Sequence, residues 1–261
     1  MTGIRIASKI IRRVDHIIVA VADPQPQYTF FTETLKLPSA WPVKDYGAFA
    51  SGGVFLGNVN LEFLRMGSSV DQPKSGSASS KLSGIAFEPV PLTEAIAELT
   101  QRNIPHSGPQ PIPGLWTNVY LNGLGAPSEM IFLCEYMMQV APINAANQAT
   151  LQSRKGGPLG LLGVAEIRVG FTDEVSAKRR WQTLLEPLRL DEQGTCKFAE
   201  GPALRLSKDQ ADGLRSIQLR VSSLETAKAF LSAQGMLAHS ASSVVEFSTS
   251  ALPGLHIQLT N

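Results

Sequence analysis

The hydrophobic pattern of the chain begins with a β-branched run at residues 14–21, which predicts a strand. Asp23 and Pro24 follow it as a helix N-cap and a first helical residue. Apolar residues then recur at the spacing of one helix face, at Tyr28, Phe31 and Leu35. Two further strands are predicted over residues 47–56 and 58–66, with a turn at Gly57. This first segment therefore has the order strand, helix and then two or three strands.

The same order of elements returns three more times along the sequence. The second copy comprises a strand at 85–88, a helix at 93–102, and strands at 115–122 and 130–137. The third comprises a strand at 164–171, a helix at 173–185 that buries Trp181 and Leu184, and a strand at 203–206. The fourth comprises a strand at 216–221, a helix opened by a capping box of Ser222 and Glu225 that buries Ala227 and Phe230, and strands at 244–248 and 255–259. Four βαβββ modules predict an α+β fold in which the modules pair into two domains with curved mixed sheets.

Two polar stretches interrupt this repeat. Residues 67–83 are rich in Ser and Gly without hydrophobic periodicity, which predicts a mobile surface loop. Residues 139–161 hold Asn, Gln, Ala, Gly and Pro and are typical of an interdomain linker. The predicted domains are therefore residues 10–138 and residues 162–261.

Composition and charge exclude several classes of protein. The chain holds 23 Lys and Arg against 22 Asp and Glu, so a polyanionic partner such as nucleic acid is not expected. With 43% hydrophobic residues it can bury a sizeable core. No apolar run has the length of a signal peptide or a membrane span, and the two cysteines are too few for a disulfide framework. These features predict a cytoplasmic protein in a reducing compartment.

Three short motifs in the first module resemble those of the vicinal oxygen chelate superfamily. They are the strand motif DHI (Asp15, His16 and Ile17), the helix that runs into FFTETLKLP, and the last strand NLEFL. This superfamily includes glyoxalase I, extradiol dioxygenases, fosfomycin-resistance enzymes and bleomycin-binding proteins. The resemblance implies two glyoxalase-like domains, each built from two modules whose cupped sheet encloses a divalent metal ion.

The resemblance also implies a set of metal ligands in the N-terminal domain. One ligand is expected from the first strand and one from the last strand of each module, which gives His16, Glu62 and Glu135, with Gly84 at the fourth position. One imidazole and two carboxylates suit Mn, Fe, Ni, Zn or Mg. The position at Gly84 leaves room for water or a substrate oxygen. By analogy with glyoxalase I, Glu135 is also expected to leave the metal and act as the general base.

The sequence departs from its relatives at two places. Extradiol dioxygenases and fosfomycin-type enzymes use two His and one carboxylate, and Gly84 cannot supply the second His, so the reaction stays open among lyase, isomerase and dioxygenase classes. The C-terminal domain shows Glu166, Arg205, Ser216 and Gln258 at the four ligand positions. Because an arginine cannot ligate a cation, this domain is predicted to have lost the site. Glu166 and Arg205 are expected to form an ion pair, and His256 is the one residue that could restore a site.

Other residues with functional chemistry leave alternatives open. Trp116, Asn118 and Tyr120 alternate on one strand, so they either bind substrate or form the outer face of an ordinary strand. Glu129 is a rival to Glu135 if the last strand starts earlier, because a slip of one residue sends a side chain to the opposite face. His106 lies in a loop and is expected to be solvated. Cys134 and Cys196 are expected to be buried apolar residues.

Two functions from different classes follow from these observations. The first is a metal-dependent enzyme in which one divalent ion acts as a Lewis acid on a small oxygenated substrate. The alternative is a metal-free protein that binds or sequesters a hydrophobic or planar ligand, as the bleomycin-resistance relatives do. A third possibility is that the C-terminal domain only stabilises the N-terminal domain or mediates its dimerisation. A homodimer is therefore one of the possible oligomeric states. No nucleophile elbow, Walker A loop or HExxH motif competes with these interpretations.

Overall fold

A computed structural model describes residues 8–67, 80–248 and 250–261 of the chain. Most of the loop predicted at residues 67–83 lies outside the described residues. None of the helices in the described part of the chain is long and apolar enough to cross a membrane.

The described residues form five α-helices and fifteen strands in the predicted order. The helices are α1 (Pro24–Thr29), which continues as one π-helical turn over Phe30–Thr34, α2 (Leu92–Gln101), α3 (Ala141–Ser153), α4 (Glu174–Leu185) and α5 (Leu224–Ala233). The strands of the first half are β1 (Ile11–Ala20), β2 (Ser39–Asp45), β3 (Phe49–Phe55), β4 (Asn60–Met66), β5 (Lys81–Pro89), β6 (Gln110–Ile112), β7 (Trp116–Tyr120) and β8 (Met130–Tyr136). Those of the second half are β9 (Leu161–Phe171), β10 (Thr195–Cys196), β11 (Ala203–Lys208), β12 (Gly213–Val221), β13 (Leu237–Ser240), β14 (Val245–Phe247) and β15 (Ile257–Thr260).

The strands form two curved mixed sheets, as the repeat predicts. The first has eight strands in the order β2-β3-β4-β1-β5-β8-β7-β6, and the second has seven in the order β10-β11-β9-β12-β15-β14-β13. Strand pairs such as β5 with β8 are parallel, whereas β7 with β8 is antiparallel. Three modules have three strands after the helix, and the third module has two in the described residues. The predicted α+β class with glyoxalase-like modules is confirmed.

The chain divides into two compact units that each draw on several segments. Among the described residues, unit 1 contains those up to His16 together with residues 83–140 and 166–215. Unit 2 contains the described residues within 17–82, 141–165 and 216–261. Each unit therefore combines residues from both predicted domains, and the domain boundaries at residues 10–138 and 162–261 stay a prediction.

The core of unit 1 is organised around Trp181 of α4, which is 0% exposed. Its ring packs edge-on against Phe87 of β5, and Phe87 also contacts Phe198. The indole Nε1 donates a hydrogen bond of 2.8 Å to the carbonyl of Leu124, so the polar atom of this large side chain is satisfied inside the core. The predicted burial of Trp181 and Leu184 is confirmed.

Unit 2 is held together by an aromatic contact and by an asparagine. Phe31 packs against Phe63 of β4, which covers the helix-facing side of that strand. Asn58 exchanges two hydrogen bonds with the backbone of Val164, one from its Nδ2 to the carbonyl and one from the amide to its Oδ1. The turn before it is at Gly57, where φ is +94° and an added Cβ would lie 2.8 Å from the carbonyl oxygen of Leu162. Only glycine fits this position without strain.

The structure corrects three local predictions. The predicted linker contains α3, whose sequence of small and amide residues buries only Leu151 and so gives little hydrophobic signal. The N-cap of α5 is Ser223 and not Ser222, because Ser223 has the extended backbone and its hydroxyl accepts the amide of Thr226. With the helix shifted by one residue, Leu231 is buried in place of Phe230, which is half-buried.

Trp181→Ala should lower the free energy of unfolding by about 3–5 kcal/mol, because it leaves a cavity and an unpaired carbonyl at Leu124. Val175→Ala on the same helix is the control. Its side chain is 62% exposed, so the change should stay within about 0.5 kcal/mol. Urea denaturation followed by circular dichroism measures both, and equal effects would contradict the assignment of Trp181 to the core.

Candidate functional site

His16 of β1 is held by a buried carboxylate in unit 1. His16 is 5% exposed, and its Nδ1 lies 2.7 Å from Oδ2 of Asp15, which is 3% exposed. The hydroxyl of Tyr136, at the end of β8, donates a hydrogen bond of 2.8 Å to the same Oδ2. Arg13 lies 3.9 Å from the other oxygen of Asp15. A histidine, a tyrosine and an arginine therefore surround one carboxylate.

The charge state of Asp15 determines the tautomer of His16. Burial by itself would raise the pKa of Asp15, but the hydrogen bond and charge of His16, the hydrogen bond of Tyr136 and the charge of Arg13 outweigh it. The pKa of Asp15 therefore lies below its ordinary value, and the carboxylate is ionised at neutral pH. Because an ionised carboxylate can only accept, Nδ1 of His16 carries the proton in this hydrogen bond. In the neutral form of the ring, the lone pair is then on Nε2.

The face of β7 and β8 that lies beside His16 is aromatic. Phe132 contacts the His16 ring edge-on at a centroid distance of 5.8 Å. Tyr120 packs on Phe132, and Trp116 packs on Tyr136. The strand register pairs Trp116, Asn118 and Tyr120 with Tyr136, Cys134 and Phe132. The three residues predicted to bind substrate therefore share one face with the ring that touches His16.

Asn118 has an unsatisfied acceptor on this face. Its Oδ1 is buried and has no hydrogen-bond partner among the residues that the structure describes. A buried acceptor without a partner costs about 1–3 kcal/mol. A ligand with a hydroxyl or amino donor would satisfy it, so Asn118 is suited to recognising such a group.

Glu135 lies on the opposite face of β8 from Phe132 and Tyr136. Side chains alternate along a strand, so Glu135 shares a face with Leu133, which is 0% exposed. Its Oε1 accepts a hydrogen bond of 2.8 Å from the amide of Leu92, the first residue of α2. The N-cap of that helix is Pro91, whose side chain makes no capping bond. Glu135 therefore caps α2, and its predicted roles as metal ligand and general base are not supported by its position.

Glu62 belongs to unit 2, where two other side chains orient it. Ser51 of β3 donates a hydrogen bond of 2.5 Å to Oε1 of Glu62, and Nε1 of Trp41 donates one of 3.0 Å to the Ser51 hydroxyl. Gly53 lies opposite Glu62 in the sheet register, and an added Cβ there would lie 2.5 Å from the Trp41 ring. The indole thus rests on the backbone at Gly53 because that position has no side chain.

The two predicted metal ligands of unit 1, His16 and Glu135, bind different partners, Asp15 and the amide of Leu92. Within residues 8–67, 80–248 and 250–261, no group of three His, Cys, Asp or Glu side chains could hold a metal ion. Because side chains alternate along β8, Glu135 points away from the face of Phe132 and Tyr136 and contacts the first amide of α2. Gly84, the fourth predicted position, is buried in β5 and supplies no ligand atom.

The ion pair predicted at the second sheet is confirmed. Nη1 of Arg205 lies 3.9 Å from Oε1 of Glu166, and the two residues sit on the neighbouring strands β11 and β9. The Arg205 side chain is 41% exposed and that of Glu166 is 23% exposed, so solvent screens the attraction between them. Ser216 is half-buried, Gln258 donates to Glu246, and His256 is exposed.

The remaining candidates have structural partners. Nδ1 of His106 lies 2.8 Å from the carbonyl of Ile104. The carboxylate of Glu129 accepts the amides of Ala126 and Leu214, so it does not replace Glu135. Cys134 and Cys196 are buried thiols, as predicted, and burial raises the pKa of Cys196 to about 11.

No local sequence pattern identifies the side chains that contact His16 and Glu62. Asp15 was part of the DHI motif, but its role depends on Tyr136, which is 121 residues away. Ser51 and Trp41 could have been suspected from the adjacent glycines at 52 and 53, since glycine in a strand marks a close approach.

Comparison with solved structures shows the fold that this geometry defines. The chain has the glyoxalase-like fold of the vicinal oxygen chelate proteins. Homoprotocatechuate 2,3-dioxygenase from Brevibacterium fuscum, in complex with 3,4-dihydroxyphenylacetate, is 10% identical with a TM-score of 0.64, and the match covers 100% of this chain and 83% of that one. The 2,3-dioxygenase LapB from Pseudomonas sp. KL28 is 12% identical with a TM-score of 0.62, covering 97% of this chain and 93% of that one. No protein-family model and no curated protein matches the sequence.

Glu135→Ala should lower the free energy of unfolding by about 1 kcal/mol, because the first amide of α2 loses its acceptor. Thr93→Ala, at an exposed position of the same helix turn, is the control and should change it by less than about 0.5 kcal/mol. Chemical denaturation measures both variants. A stability equal to that of the wild type would show that Glu135 does not cap the helix.

Glu166→Gln should leave the protein as stable as the wild type or more stable at neutral pH. Burial raises the pKa of Glu166 more than Arg205 and Arg168 lower it. The folded state therefore holds the proton more tightly than the unfolded state, and ionisation costs stability as the pH rises through the pKa. The gain in the variant should disappear as the pH falls below the ordinary pKa of a glutamate. Unfolding free energies measured across this range test the sign, and a variant less stable at neutral pH contradicts it.

Proposed function

We propose that this protein binds a small planar molecule bearing hydroxyl or carbonyl oxygens, and that His16 accepts a proton from it. The observation that carries the proposal is the hydrogen bond between His16 and the buried, ionised Asp15. This pair gives a histidine one defined tautomer beside an aromatic face. Such an arrangement supports general base catalysis and is not required by the fold.

The chemistry of His16 follows from its partner. A proton accepted at Nε2 makes the ring cationic while Nδ1 keeps its hydrogen bond to Asp15. The carboxylate then stabilises the positive charge that develops on the ring. Tyr136 and Arg13 hold Asp15 in place and keep it ionised. They therefore act on His16 through Asp15.

The class of ligand follows from the face of β7 and β8. Trp116, Tyr120 and Phe132 offer aromatic surface, which favours a planar ring. The unsatisfied Oδ1 of Asn118 requires a donor, which a ligand hydroxyl supplies. A catechol has both features, and 3,4-dihydroxyphenylacetate is the molecule bound to the Brevibacterium fuscum enzyme.

A metal-dependent enzyme is the second candidate, favoured by one specific observation. A metal-bound histidine commonly donates its other ring N–H to a carboxylate, as His16 does to Asp15. A divalent ion (Mn, Fe, Ni, Zn or Mg) would supply Lewis-acid chemistry, with His16 and Glu62 as the ligands that the resemblance implies. The residues present do not fit the full set, since Glu135 is committed to α2. The alternative without catalysis is a metal-free protein that sequesters the same ligand.

Binding of 4-nitrocatechol tests the role of His16 directly, because the ionised probe absorbs at longer wavelength than the neutral one. Below the pKa of the free probe, the wild-type protein should bind it with a shift to longer wavelength. His16→Gln should bind it without the shift, and Asp15→Asn should weaken the shift because the tautomer is lost. Asn118→Ala should weaken binding about tenfold, the effect of one buried hydrogen bond.

Glu135→Ala is the matched control, because that residue faces away from the aromatic surface. It should bind 4-nitrocatechol like the wild type. A wild-type complex without the spectral shift would overturn the role of His16 as a base. Titration with Mn, Fe, Ni and Zn separates the two candidate functions. Binding of one equivalent of metal by the wild type, lost in His16→Ala, favours the metal-dependent enzyme. A spectral shift without bound metal favours His16 as a general base that acts without a metal ion.

A further inference from the structure

The second sheet carries a cluster of arginines on the face that does not pack on the core of unit 1. Buried and polar residues alternate along β9 and β11. The buried residues, each 0% exposed, are Ile167, Val169, Leu204 and Leu206. The alternate positions carry Glu166, Arg168, Arg205 and Ser207 on the opposite face.

Two of these arginines are direct neighbours. The register of the parallel strands pairs Arg205 with Arg168. Like charges directly opposite on adjacent strands destabilise a sheet. A third guanidinium lies close by, because a Cβ added at Gly170 would lie 2.7 Å from Nε of Arg215. Gly170 pairs with Ser207 in the same register. The chain thus concentrates three guanidinium groups along one short stretch of sheet.

The nearby carboxylates do not satisfy these groups. Glu166 lies 3.9 Å from Arg205, and Asp209 lies 3.8 Å from Arg168 and 3.4 Å from Arg215. None of these contacts is a hydrogen bond between described residues, although guanidinium and carboxylate usually form paired bonds. Nε of Arg205 and Nε of Arg215 are both buried, and neither has a hydrogen-bond partner within the described part of the chain.

The acceptors that the arginines do find are neutral. Nε of Arg168 donates to the hydroxyl of Ser207 at 2.9 Å, and Nη2 of Arg215 donates to the carbonyl of Ala211. Asp191, a further carboxylate near Glu166, accepts the backbone amides of Gln193 and Thr195 with its Oδ1. No carboxylate of residues 8–67, 80–248 or 250–261 is therefore hydrogen-bonded to Arg168 or Arg205.

We propose that Arg168 and Arg205 form a binding site for a small oxyanion, the carboxylate or phosphate group of a metabolite. The planar fork of a guanidinium matches two oxygens of such a group, and an oxyanion between the two arginines would relieve their repulsion. Ser207 supplies a hydroxyl beside the site, and Glu166 opposes the anion by its own charge. The anion would then bind on the face of the second sheet that carries Arg168 and Arg205.

Calorimetric titration of the full chain with inorganic phosphate, and separately with succinate, tests this site. The wild-type protein should bind at least one of them with one equivalent, and the preferred anion identifies the group as phosphate or carboxylate. Arg205→Gln and Arg168→Gln should each weaken binding tenfold or more. Arg205→Lys keeps the charge but loses the fork, so it should weaken binding as well. Glu166→Gln should tighten binding.

Arg179→Gln is the matched control, because it removes one positive charge from an exposed position of α4. It should bind phosphate or succinate like the wild type. Thermal unfolding of each variant, with and without the anion, shows whether a loss of binding reflects a loss of folding. Arg205→Gln should still unfold cooperatively, but the anion should no longer raise its Tm. No binding by the wild type, or equal loss in Arg179→Gln and Arg205→Gln, would overturn the proposal.

Discussion

A carboxylate inside a protein must be given hydrogen-bond donors, and the candidate site follows from how Asp15 receives them. With 3% exposure, Asp15 would be strongly destabilising as an ion in an apolar setting. His16, Tyr136 and Arg13 supply the compensation. The same contacts set the tautomer of His16 and tie the end of β8 to β1. The orientation of the histidine is therefore a consequence of the burial of its neighbour.

The second constraint is the period of two along a strand. On β8 it places Phe132 and Tyr136 beside His16 and sends Glu135 to the amide of Leu92. A carboxylate at a helix N-terminus is favourable, because the free amides and the helix dipole attract negative charge. Glu135 and Tyr136 are adjacent in sequence, but Glu135 caps α2 whereas Tyr136 contacts Asp15 in the candidate site.

The two sheets share a module order but carry different polar side chains. The first presents a histidine with its carboxylate and aromatic rings, whereas the second presents Arg168 and Arg205 as direct neighbours. Backbone hydrogen bonds and the helix-facing apolar residues determine the fold, so the other face is free to diverge. The likeness to extradiol dioxygenases at 10–12% identity therefore concerns the fold, and the chemistry must be read from the side chains of this chain.

The sequence by itself determined the order of elements within the modules, the α+β class and the burial of Trp181, and it singled out His16 as a candidate. These features are local: hydrophobic period, turn residues and short motifs record them directly. The tertiary structure alone decided the partners of His16, the orientation of Glu62 by Ser51 and Trp41, and the place of Glu135. Tyr136 reaches Asp15 across 121 residues, and no local pattern encodes that contact. The face of Glu135 depends on strand parity, which a shift of one residue reverses and which only the packing of β8 against its neighbours fixes.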